Sequence, residues 1–286
     1  MKLFVKNLTH VDLSYFCPER GVLGESWQTD VILTGKLNAE GMVCDFSIVK
    51  KQIKKWLDDH IDHTLVIPAE HPHVSIVQLE SARTQFVFDD GNPAHRLECN
   101  APTQAFCALP LTQISAAAAA HWVEQQILNL LPAELEAVAV RFTPEQTNAA
   151  QYQYSHGLKK HDGNCQRIVH GHRSVIEVYR NGTRDEALEQ DWAQRWHDIY
   201  LGTDEDLLGI IEESSQRYHH FAYDGSQGFY ELKIPSRQVY MLPCDTTVEN
   251  LATYIANKLA HENQGDVIEV HAFEGIGKGA ICSAQV

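Results

Sequence analysis

The chain has 286 residues, 44% of them hydrophobic and 21% charged, enough for a substantial core and a length that suits two domains. Its formal net charge of −15 argues against nucleic-acid binding, which needs basic surface to neutralise phosphates. No apolar run approaches the roughly eighteen residues of a membrane span. The opening "MKLFVKNLTHVDLSYF" lacks the apolar block and small-residue cleavage site of a signal peptide, so a cytoplasmic protein without a membrane partner is expected. Seven cysteines, an odd number with no C-x-x-C pair, argue against a disulfide framework and leave a free-thiol role open.

In chain order, "GESWQTDVILTG" (24–35) alternates as a strand, and "GMVCDFSIVKKQIKKWLDDHIDHTLVIP" (41–68) opens a helix. Asp45 is its N-cap, and Phe46, Val49, Ile53, Trp56 and Leu57 recur at helical spacing as a core stripe. "FVFDDGNPAHRLECNAPTQAFCALPLT" (86–112) reads strand, D-G turn, strand, proline, strand. A helical run at 114–131 and an alternating strand at 137–142 follow. The order then recurs. "GHRSVIEVYRNG" (171–182) parallels 24–35, and 184–202 is helical. "FAYDGSQGFYELKIPSRQVYMLPCDTT" (221–247) parallels 86–112, with a helix at 248–262 and a strand at 267–273. The repeat predicts two tandem units, 1–147 and 148–286, each α+β with an antiparallel sheet and helices on one face. Few residues lie between Phe142 and His156, so either one strand serves both units or one has been dropped.

"GNCQRIVHGHRS" (163–174) sets a cysteine five residues ahead of a His-Gly-His. With 16 histidines in the chain, chance alone gives about one His-x-His, so the triplet is weak by itself. Lys159, Lys160, Arg167 and Arg173 surround it, either as a local anion site or as a solvated face. "HPH" (71–73) and "YHH" (218–220) are read as structural.

Taken together and in order, these stretches resemble the 6-pyruvoyl-tetrahydropterin synthase and 6-carboxytetrahydropterin synthase family in a tandem form. "YQYSHGL" (152–158) and "CQRIVHGH" (165–172) are similar to its metal segment, "GMVCDF" (41–46) to a helix start, and "HIDHTLV" (60–66) to its Asp-His element. "TVENLA" (247–252) is similar to a helix of the family, and "AFEGIGKGAI" (272–281) to the segment that anchors the pterin. The resemblance implies two tunnelling-fold (T-fold) units, zinc held by His156, His170 and His172, and catalysis by Cys165, Asp62 and His63. It implies pterin anchoring by Glu274; Thr247 and Glu249 read first as a helix cap and a first-turn acid, with substrate contact as the alternative. A small-molecule pterin substrate and a homo-oligomer of fused subunits follow from the same resemblance.

The family's elements are divided between the halves. The first half holds Asp62-His63, but Leu23 and Gly24-Glu25-Ser26 stand where the second half has His170 and Gly171-His172-Arg173. The glutamate position falls near Phe142–Pro144. The second half holds histidines, cysteine and glutamate, and shows no Asp-His after its first helix. One composite site is expected, with Asp62-His63 supplied by the first half.

The chemistry fits those residue types. Histidines at i and i+2 share one face of a strand, and a third from a neighbouring strand completes a His₃ set with one position open, as in catalytic zinc sites. A thiolate near cations or metal can abstract a proton, a His oriented by Asp can act as the partner acid or base, and a carboxylate can accept two hydrogen bonds from a pterin edge. The expected activity is a zinc-dependent lyase step on 7,8-dihydroneopterin triphosphate, of the 6-carboxytetrahydropterin type that feeds queuosine and deazapurine synthesis. The alternatives are the 6-pyruvoyl product and a non-catalytic zinc- and pterin-binding protein.

Overall fold

The computed structural model describes residues 1–286. The first half runs β1 (Lys2–Cys17), β2 (Gly21–Gly35), α1 (Phe46–His60), β3 (Leu65–Pro68), β4 (Val74–Leu79), β5 (Arg83–Phe88), β6 (Leu97–Pro102), β7 (Phe106–Leu109), α2 (Ala116–Ile127) and β8 (Leu135–Pro144). The second runs β9 (Gln151–His156), β10 (His170–Arg180), the two-residue β11 (Thr183–Arg184), α3 (Glu186–Arg195), β12 (Ile199–Thr203), β13 (Leu207–Glu213), β14 (Gln216–Gly225), β15 (Gly228–Pro235), β16 (Val239–Leu242), α4 (Val248–Glu262), β17 (Val267–Phe273) and β18 (Gly279–Gln285). Apart from β11 and β18 the second list repeats the first element for element.

The helices form where the sequence provides caps and stripes. Asp45 accepts hydrogen bonds from the backbone N–H groups of Ser47 and Ile48, and α1 buries Val49, Ile53 and Leu57. Ser115 and Thr247 cap α2 and α4 in the same manner. Each half packs its helices against its own sheet over its own core. One core gathers Val11, Leu33 and Phe142 with α1 and α2; the other gathers Tyr152, Val178 and Val270 with α3 and α4.

The sheet orders match, β7-β3-β1-β2-β8 in the first half and β16-β12-β9-β10-β17-β18 in the second. The long central pairs are antiparallel as expected, whereas the short β3, β7, β12 and β16 join in parallel. These strands follow a helix or return from a hairpin excursion, so a crossover reaches them. Both β8 and β9 exist, so no strand is shared or lost at the junction; β9 opens its half with only six residues.

A third sheet was not legible beforehand. The hairpin excursions of the two halves join edge to edge, β4-β5-β6 with β15-β14-β13, through antiparallel pairing of Leu232 with Cys99. A core of Phe16, Phe86, Phe88, Tyr200, Phe221 and Tyr230 lies where this sheet meets the halves. Joining two edges removes unpaired strand backbone that each half alone would present to solvent.

The main sheets meet where β2 crosses β10. A Cβ on Gly171 would lie 2.7 Å from the Gly24 Cα and 2.7 Å from the Ser14 Oγ, and one on Gly24 would lie 2.7 Å from the His172 backbone nitrogen. Ser14 and Ser155 join hydroxyls at 2.7 Å in the same buried seam. Backbone is the neighbour on both sides, so neither glycine has room for a methyl group. Gly171→Ala is expected to destabilise the fold by about 3 kcal/mol or more in urea unfolding, the upper range of overpacking costs. Gly209→Ala on β13, where an added Cβ meets nothing within 4 Å, is expected to change stability by less than about 0.5 kcal/mol.

Candidate metal centre and active site

His156 ends β9 and His170 begins β10, and the two are direct cross-strand partners; His172 lies two residues further on the same face. All three are at most 1% exposed, and one nitrogen of each lies within 4.8 Å of the others. Two of the rings are fixed on one side by hydrogen bonds, and the third lies beside a carboxylate. His156 Nδ1 is 2.8 Å from Thr246 Oγ1, His170 Nδ1 is 2.9 Å from the Arg167 carbonyl oxygen, and His172 Nδ1 is 3.3 Å from Asp12 Oδ1. Thr246 and the Arg167 carbonyl accept the Nδ1 protons of His156 and His170 and leave their Nε2 lone pairs free, the orientation seen around metal-bound histidines, while both ring nitrogens of His172 are buried beside Asp12 without a hydrogen bond. The Nε2 atoms of His156 and His172 are buried with no hydrogen-bond partner. Burial also holds His156 and His170 well below the ordinary imidazole range, so they are neutral donors. Three buried, converging imidazoles, with the Nε2 atoms of His156 and His172 unsatisfied, fit a divalent ion.

The first half supplies the opposite wall. Asp62 Oδ1 accepts from the Asp12 backbone N–H at 2.8 Å, and His63 N–H donates to the Asp12 carbonyl at 2.6 Å. His63 adopts φ +56°, which turns its ring toward the histidine cluster. Its Nδ1 is 2.6 Å from Asp62 Oδ2, and its ring centroid is 5.0 Å from that of His170. The reactive atoms of His63, Cys165 and His170 all lie within 4.8 Å of one another. Burial works against a charge on His63, but hydrogen bonds with Asp62 and Cys165 outweigh it and push its pKa up to about 10. The expected acid–base couple and the expected metal ligands therefore meet inside one chain.

Glu274 follows β17, with its N–H donating to the Lys278 carbonyl at 3.0 Å. Lys278 Nζ lies 3.5 Å from Glu274 Oε2 and 3.4 Å from Asp12 Oδ2, which ties the glutamate to the same cluster. Thr247 and Glu249 stand differently. The Thr247 hydroxyl accepts from the Asn250 N–H at 3.3 Å as a helix cap, and Glu249 lies in the first turn of α4. It is the neighbouring Thr246 that touches His156. Sequence reasoning missed Asp12, Thr246 and Lys278, and it named Arg167 only as a cation. Lys278, four residues beyond Glu274, was the one with a local signal.

The repeat creates a second, reciprocal junction. Ser14 pairs with Gly24 and Leu65, as Ser155 pairs with Gly171 and Tyr200, so the register aligns His63 with Asp198. Both have φ +56°. The second half thus carries a reversed pair, His197-Asp198, where no Asp-His was found. By the same register Tyr15, Leu23 and Glu25 occupy the positions of His156, His170 and His172, and Pro144 that of Glu274. Arg20 fills the junction, donating to both Asp198 oxygens at 2.8 and 2.6 Å and to Gln153 Oε1 at 2.9 Å. Gln153 in turn donates to Glu25 at 3.3 Å.

The comparisons agree with this duplicated architecture. The family profile described as 6-pyruvoyl tetrahydropterin synthase matches twice, over residues 7–153 and 145–285. The chain belongs to that family, and its α+β halves are two tandem copies of the family's tunnelling fold. A Methanocaldococcus jannaschii protein provisionally named 6-carboxy-5,6,7,8-tetrahydropterin synthase is 30% identical over 116 residues, 40% of this chain. The match spans 66% of that relative's length. A solved 6-pyruvoyl tetrahydropterin synthase from Plasmodium vivax aligns over 51% of this chain and 98% of its own, at 16% identity and a TM-score of 0.39. One from Plasmodium falciparum aligns over the same shares at 15% and 0.38. No helix is long and apolar enough to cross a membrane.

Glu25 supplies a test of the reciprocal junction. Burial raises its carboxyl from 4.5 to about 7, against the attraction of Arg173. A group whose folded pKa is raised stabilises fully below the unfolded value and loses that contribution as pH rises through the folded one. Wild type is therefore expected to lose up to about 3 kcal/mol relative to Glu25→Gln between roughly pH 4.5 and 7. Urea unfolding of both proteins across that window checks it; parallel curves would contradict the assignment.

Proposed function

We propose that this protein is a zinc-dependent tetrahydropterin synthase acting on 7,8-dihydroneopterin triphosphate, of the 6-carboxytetrahydropterin type that serves queuosine and deazapurine synthesis. The observation that carries this reading is the meeting of three buried, converging histidines with a thiol and an Asp–His couple from the other half. Family membership supports the pterin chemistry, and the name of the Methanocaldococcus relative supports the carboxy product. In this reading the units are 1–147 and 148–286, the protein is a cytoplasmic homo-oligomer, and it has no nucleic-acid or membrane partner.

His156, His170 and His172 hold the zinc. The bound ion supplies Lewis acidity that polarises a side-chain hydroxyl or carbonyl of the substrate. Glu274 accepts hydrogen bonds from the 2-amino and ring N–H groups of the pterin. Thr247 and Glu249 are assigned as further contacts at the mouth of α4. Asp62 holds the Nδ1 proton of His63, which leaves the other ring nitrogen for Cys165. His63 and Cys165 lie within reach of one shared proton, and the Asp62 carboxylate 2.6 Å from Nδ1 favours its place on His63. Cys165 then acts through its thiolate as the base, and His63 as the acid that returns the proton. Pure binding of zinc and pterin requires neither group, which weighs against the non-catalytic alternative.

The test is turnover. Zinc-loaded protein given dihydroneopterin triphosphate is expected to release triphosphate and form a side-chain-altered tetrahydropterin, read by mass spectrometry. Cys165→Ala and His63→Ala are each expected to lower kcat by about 10²–10⁴-fold with zinc content unchanged, and chelation is expected to abolish turnover. A zinc-replete wild type that binds the substrate without converting it would support the binding-protein reading instead.

A further inference from the structure

Four cations surround the Cys165 segment, and three are engaged with their neighbours. Lys159 pairs with Glu205 and Asp206, Lys160 with Glu205 and Asp245, and Arg173 donates to Gln151 beside Glu25. Arg167 differs. It is 3% exposed and forms no ion pair, in a chain with 38 aspartates and glutamates. Its Nε is buried without a partner. Leaving a buried cation without a carboxylate is costly, so its position calls for a reason.

The reason lies in what it touches. Its Nη1 donates to the carbonyl oxygens of Asp62 at 3.3 Å and of His63 at 3.5 Å, both in the other half. Its own carbonyl accepts from His170 Nδ1 at 2.9 Å. The same turn adds Asn164, whose amide donates to the Asp58 carbonyl at 3.4 Å. One short segment thus carries Cys165, orients a ring of the histidine cluster, and grips the carbonyl end of α1 where a cation is favoured. His63 needs such a grip, because φ +56° is a conformation that a β-substituted residue does not hold by preference.

We infer that Arg167 is a positioning residue, whose guanidinium clamps the Asp62–His63 backbone so that the His63 ring stays in register with Cys165 and His170. The inference rests on the proposed function for its kinetic consequence and on the hydrogen bonds alone for its structural one. The clamp fixes geometry across the two halves, so its loss is felt in the chemical step and little in substrate affinity or metal content. A displacement of about 1 Å at reacting groups lowers rates by about 10²-fold.

Two readouts test it on full-length, zinc-loaded protein. In Arg167→Gln, amide exchange over residues 61–65 is expected to accelerate by about tenfold or more, as the segment's opening becomes easier. Those amides are well placed to report, since His63 N–H bonds the Asp12 carbonyl and Thr64 N–H the Ile61 carbonyl. In the same variant kcat is expected to fall by about 10²-fold with KM within about threefold and one zinc retained per chain, and Arg167→Lys is expected to recover part of both effects. Unchanged exchange at 61–65, or a kcat within about twofold of wild type, overturns the inference. Should the glutamine variant fail to fold, the lysine variant is judged by the same two measures. Should wild type not convert the substrate at all, the proposed function fails on its own, and exchange alone decides whether Arg167 is the clamp.

Discussion

Two glycines in van der Waals contact hold the whole arrangement together. Because Gly24 and Gly171 carry no side chains, β2 and β10 cross closely enough for Ser14 to reach Ser155 and for Asp12 to reach His172. The contacts that the first half makes with the histidine cluster follow from that spacing. The three imidazoles come from β9 and β10 alone, but Asp12 behind His172 and the His63 ring facing His170 come from across the seam. A side chain at the crossing would separate the halves by more than any hydrogen bond there could span. The shared third sheet braces the same registration from the other end, by pairing β6 with β15.

Duplication makes two junctions, and the proposed function places chemistry at one of them. At the first, three buried histidines converge. At the second, Arg20 brings a permanent positive charge that Asp198 and Gln153 hold, and Glu25 lies buried beyond them. The second junction is closed by its own side chains, with Pro144 at the position that Glu274 holds in the first. The two differ in charge and donors while sharing a backbone, down to the left-handed residue after the helix. Specialising one junction and locking the other leaves each half free to vary at the positions it no longer uses.

Much of this was legible beforehand because it rests on local rules. Caps at Asp45 and Thr247, helical stripes and D-G turns mark elements wherever they occur, and the repeat doubles each signal. His170 and His172 share a face through strand alternation alone. What stayed hidden depends on register and on contacts between distant segments. Asp12 looks like any strand residue until β1 is laid against β2 and β2 against β10. The reversed His197-Asp198 escaped because its order is inverted, and only alignment of β12 with β3 puts Asp198 at the place of His63. Thr247 drew attention as a cap, yet its neighbour Thr246 carries the contact to His156, since a helix start fixes the cap and not the residue before it. The edge-to-edge third sheet has no local signal, because either hairpin could equally end in solvent.

The composite centre is tested most directly by anomalous scattering at the zinc edge from crystals of the metal-loaded protein. The account predicts one peak per chain, about 2.0–2.1 Å from the Nε2 atoms of His156, His170 and His172, with His63 of the same chain facing it and no peak beside Tyr15, Leu23 and Glu25. An ion bound away from those three nitrogens, or a His63 ring turned out of the junction, would contradict it.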